Sequence, residues 1–284
     1  MTQQEKKNLE LAACRVRQGI IEGTHAAKSG HPGGSLGAAD LFTVLYFKEM
    51  NIDPANPKME TRDRFVLSKG HCAPGLYSAL AQRGFFPPED LKTLRQVGSH
   101  LQGHPSMHLT PGVDMSTGSL GQGVSAAAGM ALGAKTTGKE NRVYTLLGDG
   151  EIEEGECWEA FMFAAHYNLD NLCVIIDVNG LQIDGPTASV MNAEPIDQKM
   201  KAFGFEVFCI NGNDVEAVAE AFEKARQVKG KPSCLLAKTT KGKHVSFMEN
   251  KAGWHGKAPN DDEAQAALAE LKAICAGMEG KGNV

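Results

Sequence analysis

Short apolar segments alternate with helical patterns along the second half of the chain. Three segments have the composition of strands buried on both faces, being rich in β-branched residues and leucine: 143–147, 172–177 and 234–237. A fourth strand is predicted at 206–210, where Gly212 and the N-cap Asp214 open the helix after it. Apolar residues at helical spacing predict helices at 156–167 and 214–228 between these strands. The alternation predicts an α/β fold with a doubly wound, mostly parallel sheet that is flanked by helices.

Two loops lie where functional residues are expected. The run 29–34 is rich in glycine and proline and precedes a helical pattern at 36–50, so this loop delivers His31 just ahead of a helix. The segment 242–259 has no regular pattern and contains tryptophan and His255 before an alanine-rich helix begins. Because loops of this length in compact domains are commonly functional, we expect the second loop to contribute to a site.

The composition is that of an ordinary globular protein and gives no sign of a nucleic-acid-binding or membrane-binding surface. A chain of 284 residues with 42% hydrophobic and 22% charged content can bury a full core as one large or two smaller domains. The formal charge of −5 is spread along the chain, so neither a nucleic-acid partner nor a membrane-binding face is predicted. No apolar run approaches the roughly 20 residues of a membrane helix, and residues 1–7 lack the pattern of a secretory signal, so we expect a cytoplasmic protein.

The cysteines do not suggest a stabilising framework. The chain has 7 cysteines, an odd number, and none of them form a Cys-x-x-Cys pair. This usage argues against a disulfide framework and against a structural zinc site. We expect most of these cysteines to be small buried residues in a reducing compartment.

Polar residues follow two of the predicted strands. Gly148-Asp149-Gly150 comes directly after the strand at 143–147, and Asn179 follows the strand at 172–177. Each of these sequences alone is typical of a turn. Together, an aspartate and an asparagine at the carboxyl edge of a parallel sheet suit a hard cation such as Mg²⁺ that also binds phosphate oxygens. The sequence therefore predicts a metal–diphosphate site at this edge.

These residues resemble the thiamine-diphosphate-dependent enzymes, and transketolases in particular. Gly148-Asp149-Gly150 with Asn179 resembles the cofactor signature, and Glu153-Glu154-Gly155 with 179–185 looks like transketolase. Five further motifs resemble transketolase in the family's order, at 29–33, 67–71, 103–105, 117–123 and 255–259. The resemblance spans most of the chain.

The resemblance implies roles for individual residues. It implies that Asp149, Asn179 and the carbonyl of Leu181 hold a metal ion, which would be Mg²⁺, Ca²⁺ or Mn²⁺. The implied contacts of thiamine diphosphate comprise the following residues: His71, Gly118, Ser119, Leu120, Gly150, Glu151, Asn179, Ile183 and His255. It places His31, His104 and His255 around the sugar as catalytic residues, and histidine suits this task because its unperturbed pKa is about 6.5. Glu154 would join a carboxylate contact between active sites across a dimer interface.

The resemblance also implies an activity and a partner. Transketolases transfer a two-carbon ketol unit from a ketose phosphate to an aldose phosphate, as in the pentose phosphate pathway. Family members continue into a pyrimidine-binding domain that carries a catalytic glutamate, and then into a third domain. Residues 1–284 would thus be a single diphosphate-side domain, and a C-terminal transketolase subunit would supply the rest in an α2β2 heterotetramer. Position 178 departs from the family, since valine stands where many members have a polar residue.

Other motifs in the chain imitate different functions. The segment 133–139 imitates a phosphate-binding loop, but Glu140 stands where serine or threonine must reach the metal. The segment 121–126 imitates a dinucleotide fingerprint, but no strand precedes it. A calcium loop beginning at Asp149 would have Glu154 where glycine is needed and Ala160 where glutamate is needed.

Several enzymes with the same cofactor remain as alternatives. They are a deoxyxylulose-phosphate synthase, the α chain of a 2-oxo-acid dehydrogenase, and a transketolase that is specialised for a sulfonated or branched sugar. The histidines at 31, 71, 104 and 255 favour a sugar-handling site over an oxo-acid site. A partner without catalysis is disfavoured because Asp149 and Asn179 are both present.

Overall fold

The computed structural model of the chain describes residues 1–280. The α-helices of this part are α1 (Gln3–Ala27), α2 (Pro32–Gly37), α3 (Ala39–Val44), α4 (Ala73–Arg83), α5 (Gln122–Thr136), α6 (Gly155–His166), α7 (Thr187–Val190), α8 (Ile196–Ala202), α9 (Val215–Gln227) and α10 (Asp261–Gly280). The strands are β1 (Arg64–Leu67), β2 (Val143–Gly148), β3 (Leu172–Val178), β4 (Leu181–Gln182), β5 (Gly185–Pro186), β6 (Glu206–Asn211) and β7 (Ser233–Lys238). The helical pattern predicted at 36–50 begins earlier, at Pro32, and its last part is the π-helix Leu45–Glu49.

Five strands form one parallel sheet in the order β1-β2-β3-β7-β6. The four strands predicted from the sequence are confirmed as β2, β3, β6 and β7. The prediction missed β1, because its four residues are too few to show a periodic pattern. The short strands β4 and β5 pair separately in an antiparallel hairpin just after β3.

Both faces of the sheet are covered by helices, as the doubly wound fold requires. Ile175 of β3 belongs to one core cluster, together with residues of α1, α3, α4, α9 and α10. Its neighbours Val174 and Ile176 belong to a second cluster with α5, α6 and α8. Successive strand residues point to opposite faces, so an all-apolar strand serves both clusters. The predicted fold class is therefore confirmed.

The helices at the two ends of the chain pack against each other. A capping box starts α1, in which the Thr2 hydroxyl accepts from the Glu5 N–H and the Glu5 carboxylate accepts from the Thr2 N–H. Cys14 of α1 and Cys275 of α10 form a disulfide with their Cα atoms 6.1 Å apart. The cysteine usage had argued against disulfides, and that prediction was wrong for Cys14 and Cys275. The two residues are 261 positions apart, and only the tertiary packing of the end helices brings them together.

The segment 242–259 lies against the body of the domain. Val245, Met248 and Trp254 are buried in the first core cluster, and the Trp254 indole N–H donates to the carbonyl of Phe247 at 3.1 Å. This packing holds His255 in place after the turn Ala252–Trp254. Within residues 1–280, no helix has both the length and the apolar character needed to cross a membrane. The cytoplasmic location stays a prediction.

Candidate active site

The ends of β2 and β3 bring the predicted metal ligands to one edge of the sheet. The Asp149 N–H donates to the Asp177 carbonyl at 3.1 Å, which continues the pairing of the two strands. The Asp149 side chain is buried, and its carboxylate accepts from the N–H groups of Gly150 at 3.0 Å and Gly180 at 2.6 Å. Gly180 directly follows Asn179, so the loop after β3 is tied to this carboxylate.

The carboxylate and amide predicted as ligands line one cavity together with Leu181. The Asn179 side-chain oxygen accepts from the Leu181 N–H at 3.1 Å, and the Leu181 carbonyl accepts from the Lys241 ammonium at 3.0 Å. A carboxylate, an amide oxygen and a carbonyl are the ligand types that Mg²⁺ prefers. Residues 1–280 contain no group of three or more His, Cys, Asp or Glu side chains that could hold a metal. A cation here would thus depend on the amide and the carbonyl, with further oxygens supplied by its phosphate partner.

The cavity is small, and polar side chains are prominent among the residues that line it. Its volume is about 140 Å³, which suits a small anion with a cation rather than a complete cofactor with two rings. The residues predicted to contact the cofactor that line it are His71, Leu120, Gly150, Glu151, Asn179, Ile183 and His255. Leu120 is 38% exposed and Ile183 is 70% exposed, so both leave apolar surface at the opening. Ser119 is exposed and is not part of the cavity wall.

Four histidines from distant parts of the chain converge beside this cavity. The ring of His31 lies 5.4 Å from that of His71, 5.4 Å from that of His255 and 6.4 Å from that of His104, measured between centroids. The rings of His71 and His255 are stacked at 4.9 Å. These are the four histidines predicted from the sequence, and the structure brings all of them together.

Local structure explains how each histidine reaches the cluster. His31 directly precedes α2, His71 lies in a 3₁₀ turn after β1, and His255 ends the turn Ala252–Trp254. His104 lies in a loop against Gly118, where an added Cβ would be 3.2 Å from the imidazole ring. The backbone φ of Gly118 is +155°, which L side chains rarely adopt, so this position requires glycine.

Burial keeps these imidazoles neutral. It lowers the pKa of His31 to about 4, with a further contribution from Arg95. It lowers the pKa of His255 to about 3, assisted by the neighbouring Lys241 ammonium. The pKa of His71 is likewise held well below its usual value by burial and by Lys69. At neutral pH these rings therefore carry no charge, and each offers one hydrogen-bond donor and one acceptor.

Two buried lysines line the cavity, and the sequence reasoning missed both. The Lys241 ammonium is 3.1 Å from Nδ1 of His255, and burial lowers its pKa. Lys69 forms a buried ion pair with Asp177 at 2.5 Å; burial opposes its charge, but Asp177 raises its pKa overall. Lys69 belongs to the motif at 67–71, where only the histidine was singled out.

Asp149 has an unusually basic carboxylate. Burial raises its pKa to about 6, and the nearby Asp177 carboxylate adds to this effect. A buried carboxylate that is costly to ionise favours a bound cation, because the cation compensates the charge.

Two predicted acidic residues lie in different surroundings. Glu151 is buried, and its oxygens accept from the Ser68 hydroxyl at 2.5 Å and from the N–H groups of Gly121 and Gly148 at 3.1 Å. Because these three donors occupy the Glu151 carboxylate, its role at the site is to form part of the cavity wall. Glu154 is exposed at the start of α6, outside the cavity.

The fold and the site together define a class of protein. A parallel α/β sheet carries, at its carboxyl edge, a cation-type ligand set, buried lysines and neutral histidines. This arrangement defines a domain that holds the phosphate end of a small organic cofactor.

Comparison with known proteins identifies the family. Residues 10–274 match the family described as the transketolase thiamine diphosphate binding domain, and the chain belongs to it. It is 44% identical over 269 residues to the 6-deoxy-6-sulfo-D-fructose transketolase subunit of Clostridium sp. (strain MSTE9), covering 95% of this chain and 98% of that protein. It is 43% identical over 265 residues to an apulose-4-phosphate transketolase subunit of Actinobacillus succinogenes, covering 93% of this chain and 96% of that one. The prediction of a transketolase subunit is confirmed.

Solved structures support the same assignment. The transketolase of Campylobacter jejuni has a TM-score of 0.86 and 33% identity, over 98% of this chain and 46% of that chain. The chain thus spans about half the length of the solved transketolases it resembles, and nearly all of the length of the two subunits named above.

Proposed function

We propose that the chain is the cofactor-binding subunit of a transketolase that works with a second polypeptide. The observation that carries this proposal is the convergence of four neutral histidines on a cavity that also holds Asp149, Asn179 and two buried lysines. Uncharged imidazoles suit the handling of sugar hydroxyls, and the Lys241 ammonium suits an anionic cofactor.

Thiamine diphosphate and a divalent cation fit the residues present. Asp149, Asn179 and the Leu181 carbonyl would hold Mg²⁺, while the Lys241 ammonium and the imidazoles of His71 and His255 would face the diphosphate. The apolar surface of Leu120 at the opening would lie against the cofactor rings. When bound, the cofactor supplies the reactive carbon centre that takes up the two-carbon unit.

The histidines would orient the sugar and move its protons. His31 has a buried Nδ1 with no hydrogen-bond partner among the described residues, which leaves Nε2 as the ring nitrogen able to accept a hydroxyl proton. His104 is exposed and stands 6.4 Å from His31, at the distance needed to hold a further hydroxyl of the same sugar. His255 would assist at the carbon nearest the diphosphate.

The partner would complete the active site. The cavity of about 140 Å³ has room for the diphosphate end of the cofactor only, and the two relatives that match this chain over nearly their whole length are named as subunits. We propose that a C-terminal transketolase subunit supplies the pyrimidine-binding domain and its catalytic glutamate in an α2β2 assembly. In that assembly Glu154, exposed at the start of α6, would meet a second cofactor domain.

The substrate proposed is a modified sugar with an anionic end. Relatives that match this chain from end to end are named for 6-deoxy-6-sulfo-D-fructose and apulose-4-phosphate. A specialised transketolase is therefore favoured over one of the pentose phosphate pathway. Arg95 offers a cation near the sugar site, because it affects the pKa of both His31 and His104 and donates to the Ser29 hydroxyl at 3.0 Å.

A reconstitution assay tests the proposal. The chain is mixed with its partner, Mg²⁺, thiamine diphosphate and an aldose phosphate as the acceptor, and offered sulfofructose, apulose 4-phosphate, xylulose 5-phosphate or pyruvate as the donor. We expect ketol transfer from one of the sugars, no activity from either chain alone, and no carbon dioxide from pyruvate. Full activity of the single chain, or release of carbon dioxide from pyruvate, would contradict the proposal.

A further inference from the structure

We propose that Asp177, with Lys69 as its counter-ion, is a positioning residue that fixes the side-chain orientation of Asn179. The inference rests on the proposed function, in which Asn179 is a metal ligand. It assigns a task to a buried ion pair that lies beside the metal site without belonging to the ligand set.

The Asp177 carboxylate is surrounded by donors. It is 0% exposed, and its Oδ2 accepts from the Lys69 ammonium at 2.5 Å and from the Asn179 side chain at 3.0 Å. Its Oδ1 accepts from the Thr239 hydroxyl. An ionised carboxylate only accepts hydrogen bonds, so the group of Asn179 that faces it must be the NH₂ group.

This contact decides which way the amide oxygen points. With the NH₂ group directed at Asp177, the Asn179 oxygen turns to the other side and accepts from the Leu181 N–H at 3.1 Å, in the cavity wall. A half-turn of the amide would place its oxygen against the Oδ2 of Asp177, where two acceptors meet without a hydrogen. The amide oxygen is thus directed towards the metal position by the protein itself, before any ligand is bound.

Lys69 offsets the energetic cost of burying the Asp177 carboxylate. Lys69 is 1% exposed and follows β1, while Asp177 lies near the end of β3 and Thr239 directly follows β7. A carboxylate buried at this depth without a cation would be strongly destabilising. Lys69, Asp177 and Thr239 therefore connect the ends of three strands at the carboxylate that orients the Asn179 amide. Lys69 acts through Asp177 rather than on the metal.

The test removes both charges together, because removing one would leave the other buried and unpaired. In the double variant Lys69→Met/Asp177→Asn, the new amide can donate to the Asn179 oxygen and no longer enforces one orientation. Thr239→Val is the matched control, since it removes the other hydrogen bond of Asp177 and leaves the contact with Asn179. Binding of thiamine diphosphate in Mg²⁺ to the full chain mixed with its partner subunit is measured by calorimetry, and folding of the chain by thermal denaturation.

We expect the double variant to bind about 10- to 100-fold more weakly at a similar Tm, which is the usual loss for groups that orient metal ligands. Thr239→Val should lose stability but keep its affinity. Wild-type affinity in the double variant, or an equal loss in Thr239→Val, would overturn the positioning role. Failure of the wild-type chain, mixed with its partner, to take up cofactor would instead refute the proposed function.

A second variant keeps the test decisive if the double variant does not fold. Asn179→Asp supplies a charged oxygen ligand, which alone would strengthen cation binding, but it places a carboxylate against Asp177. The positioning role predicts weaker binding of Mg²⁺ and thiamine diphosphate than in the wild type. Equal or tighter binding would show that the donation from Asn179 to Asp177 is unnecessary.

Discussion

Replacing Asp149 by asparagine removes the one carboxylate from the proposed ligand set and nearly conserves side-chain size. Asp149 is 4% exposed and accepts from two backbone N–H groups, those of Gly150 at 3.0 Å and Gly180 at 2.6 Å. In Asp149→Asn, the NH₂ group must face one of these donors. Losing one such buried hydrogen bond costs about 1–3 kcal/mol of unfolding free energy.

The two consequences of this substitution differ in size. At about 2.1 cal/mol/K per residue, the unfolding entropy of 284 residues is about 0.6 kcal/mol/K, so the lost hydrogen bond alone lowers Tm by about 2–5 °C. Part of this fall is offset, because asparagine removes the cost of ionising a carboxylate whose pKa burial raises to about 6. Affinity for thiamine diphosphate in Mg²⁺ should fall more than about 100-fold. Loss of an outer partner of a metal ligand already costs about 10- to 100-fold, and here the charged ligand itself is lost.

Calorimetric titration of the full chain and its partner subunit with thiamine diphosphate and Mg²⁺, beside thermal denaturation of the chain, separates these effects. Asp184→Asn is the matched control, because Asp184 is an exposed carboxylate on the wall of the same cavity. It should change the affinity by no more than about twofold. Wild-type cofactor affinity in Asp149→Asn, with the expected drop in Tm, would refute the ligand assignment.

Three further predictions concern the remainder of the site. Lys241→Met should weaken the binding of inorganic diphosphate in Mg²⁺ by about 10- to 100-fold in calorimetry, because a charged hydrogen bond is lost; unchanged affinity would remove Lys241 from the site. His31→Ala should lower the kcat of the reconstituted enzyme and leave cofactor affinity intact, and a parallel loss of affinity would count against its role towards the sugar. Burial lowers the pKa of His31 to about 4 and of His255 to about 3, so between pH 6.5 and pH 4 the unfolded chain binds more protons and stability must fall as pH falls. Urea denaturation at pH 7 and pH 5 measures this slope, which His31→Asn/His255→Asn should flatten; an unchanged slope would place the acid sensitivity elsewhere.

The sequence predicted four of the five strands of the parallel sheet but neither β1 nor the disulfide. The strands β2, β3 and β7 were visible because strands buried on both faces are continuously apolar. The edge strand β6 is only partly buried, and it was recognisable because a helical pattern follows it at 214–228. The four residues of β1 carry no period, although β1 is the strand that delivers Lys69 and His71 to the site. The disulfide was also invisible, since it depends on the packing of α1 against α10.

The sequence predicted the histidines of the site but not its buried lysines. The four histidines were recognisable because each adjoins glycine in a loop, and they do converge. Lys69 and Lys241 were missed because a lysine in a sequence normally indicates a solvated surface, and only tertiary burial reveals otherwise. The sequence also could not show that three hydrogen-bond donors occupy the Glu151 carboxylate, because those donors are brought together only by the fold.

A crystal structure of the full chain with its partner, grown with Mn²⁺ and thiamine diphosphate, would locate the cation by its anomalous scattering. We expect a peak within coordination distance of the Asp149 carboxylate, the Asn179 amide oxygen and the Leu181 carbonyl, with diphosphate oxygens as the further ligands. The Lys241 ammonium should then have left the Leu181 carbonyl for the diphosphate. A peak away from these three oxygens, or a cofactor bound elsewhere in the domain, would contradict the account.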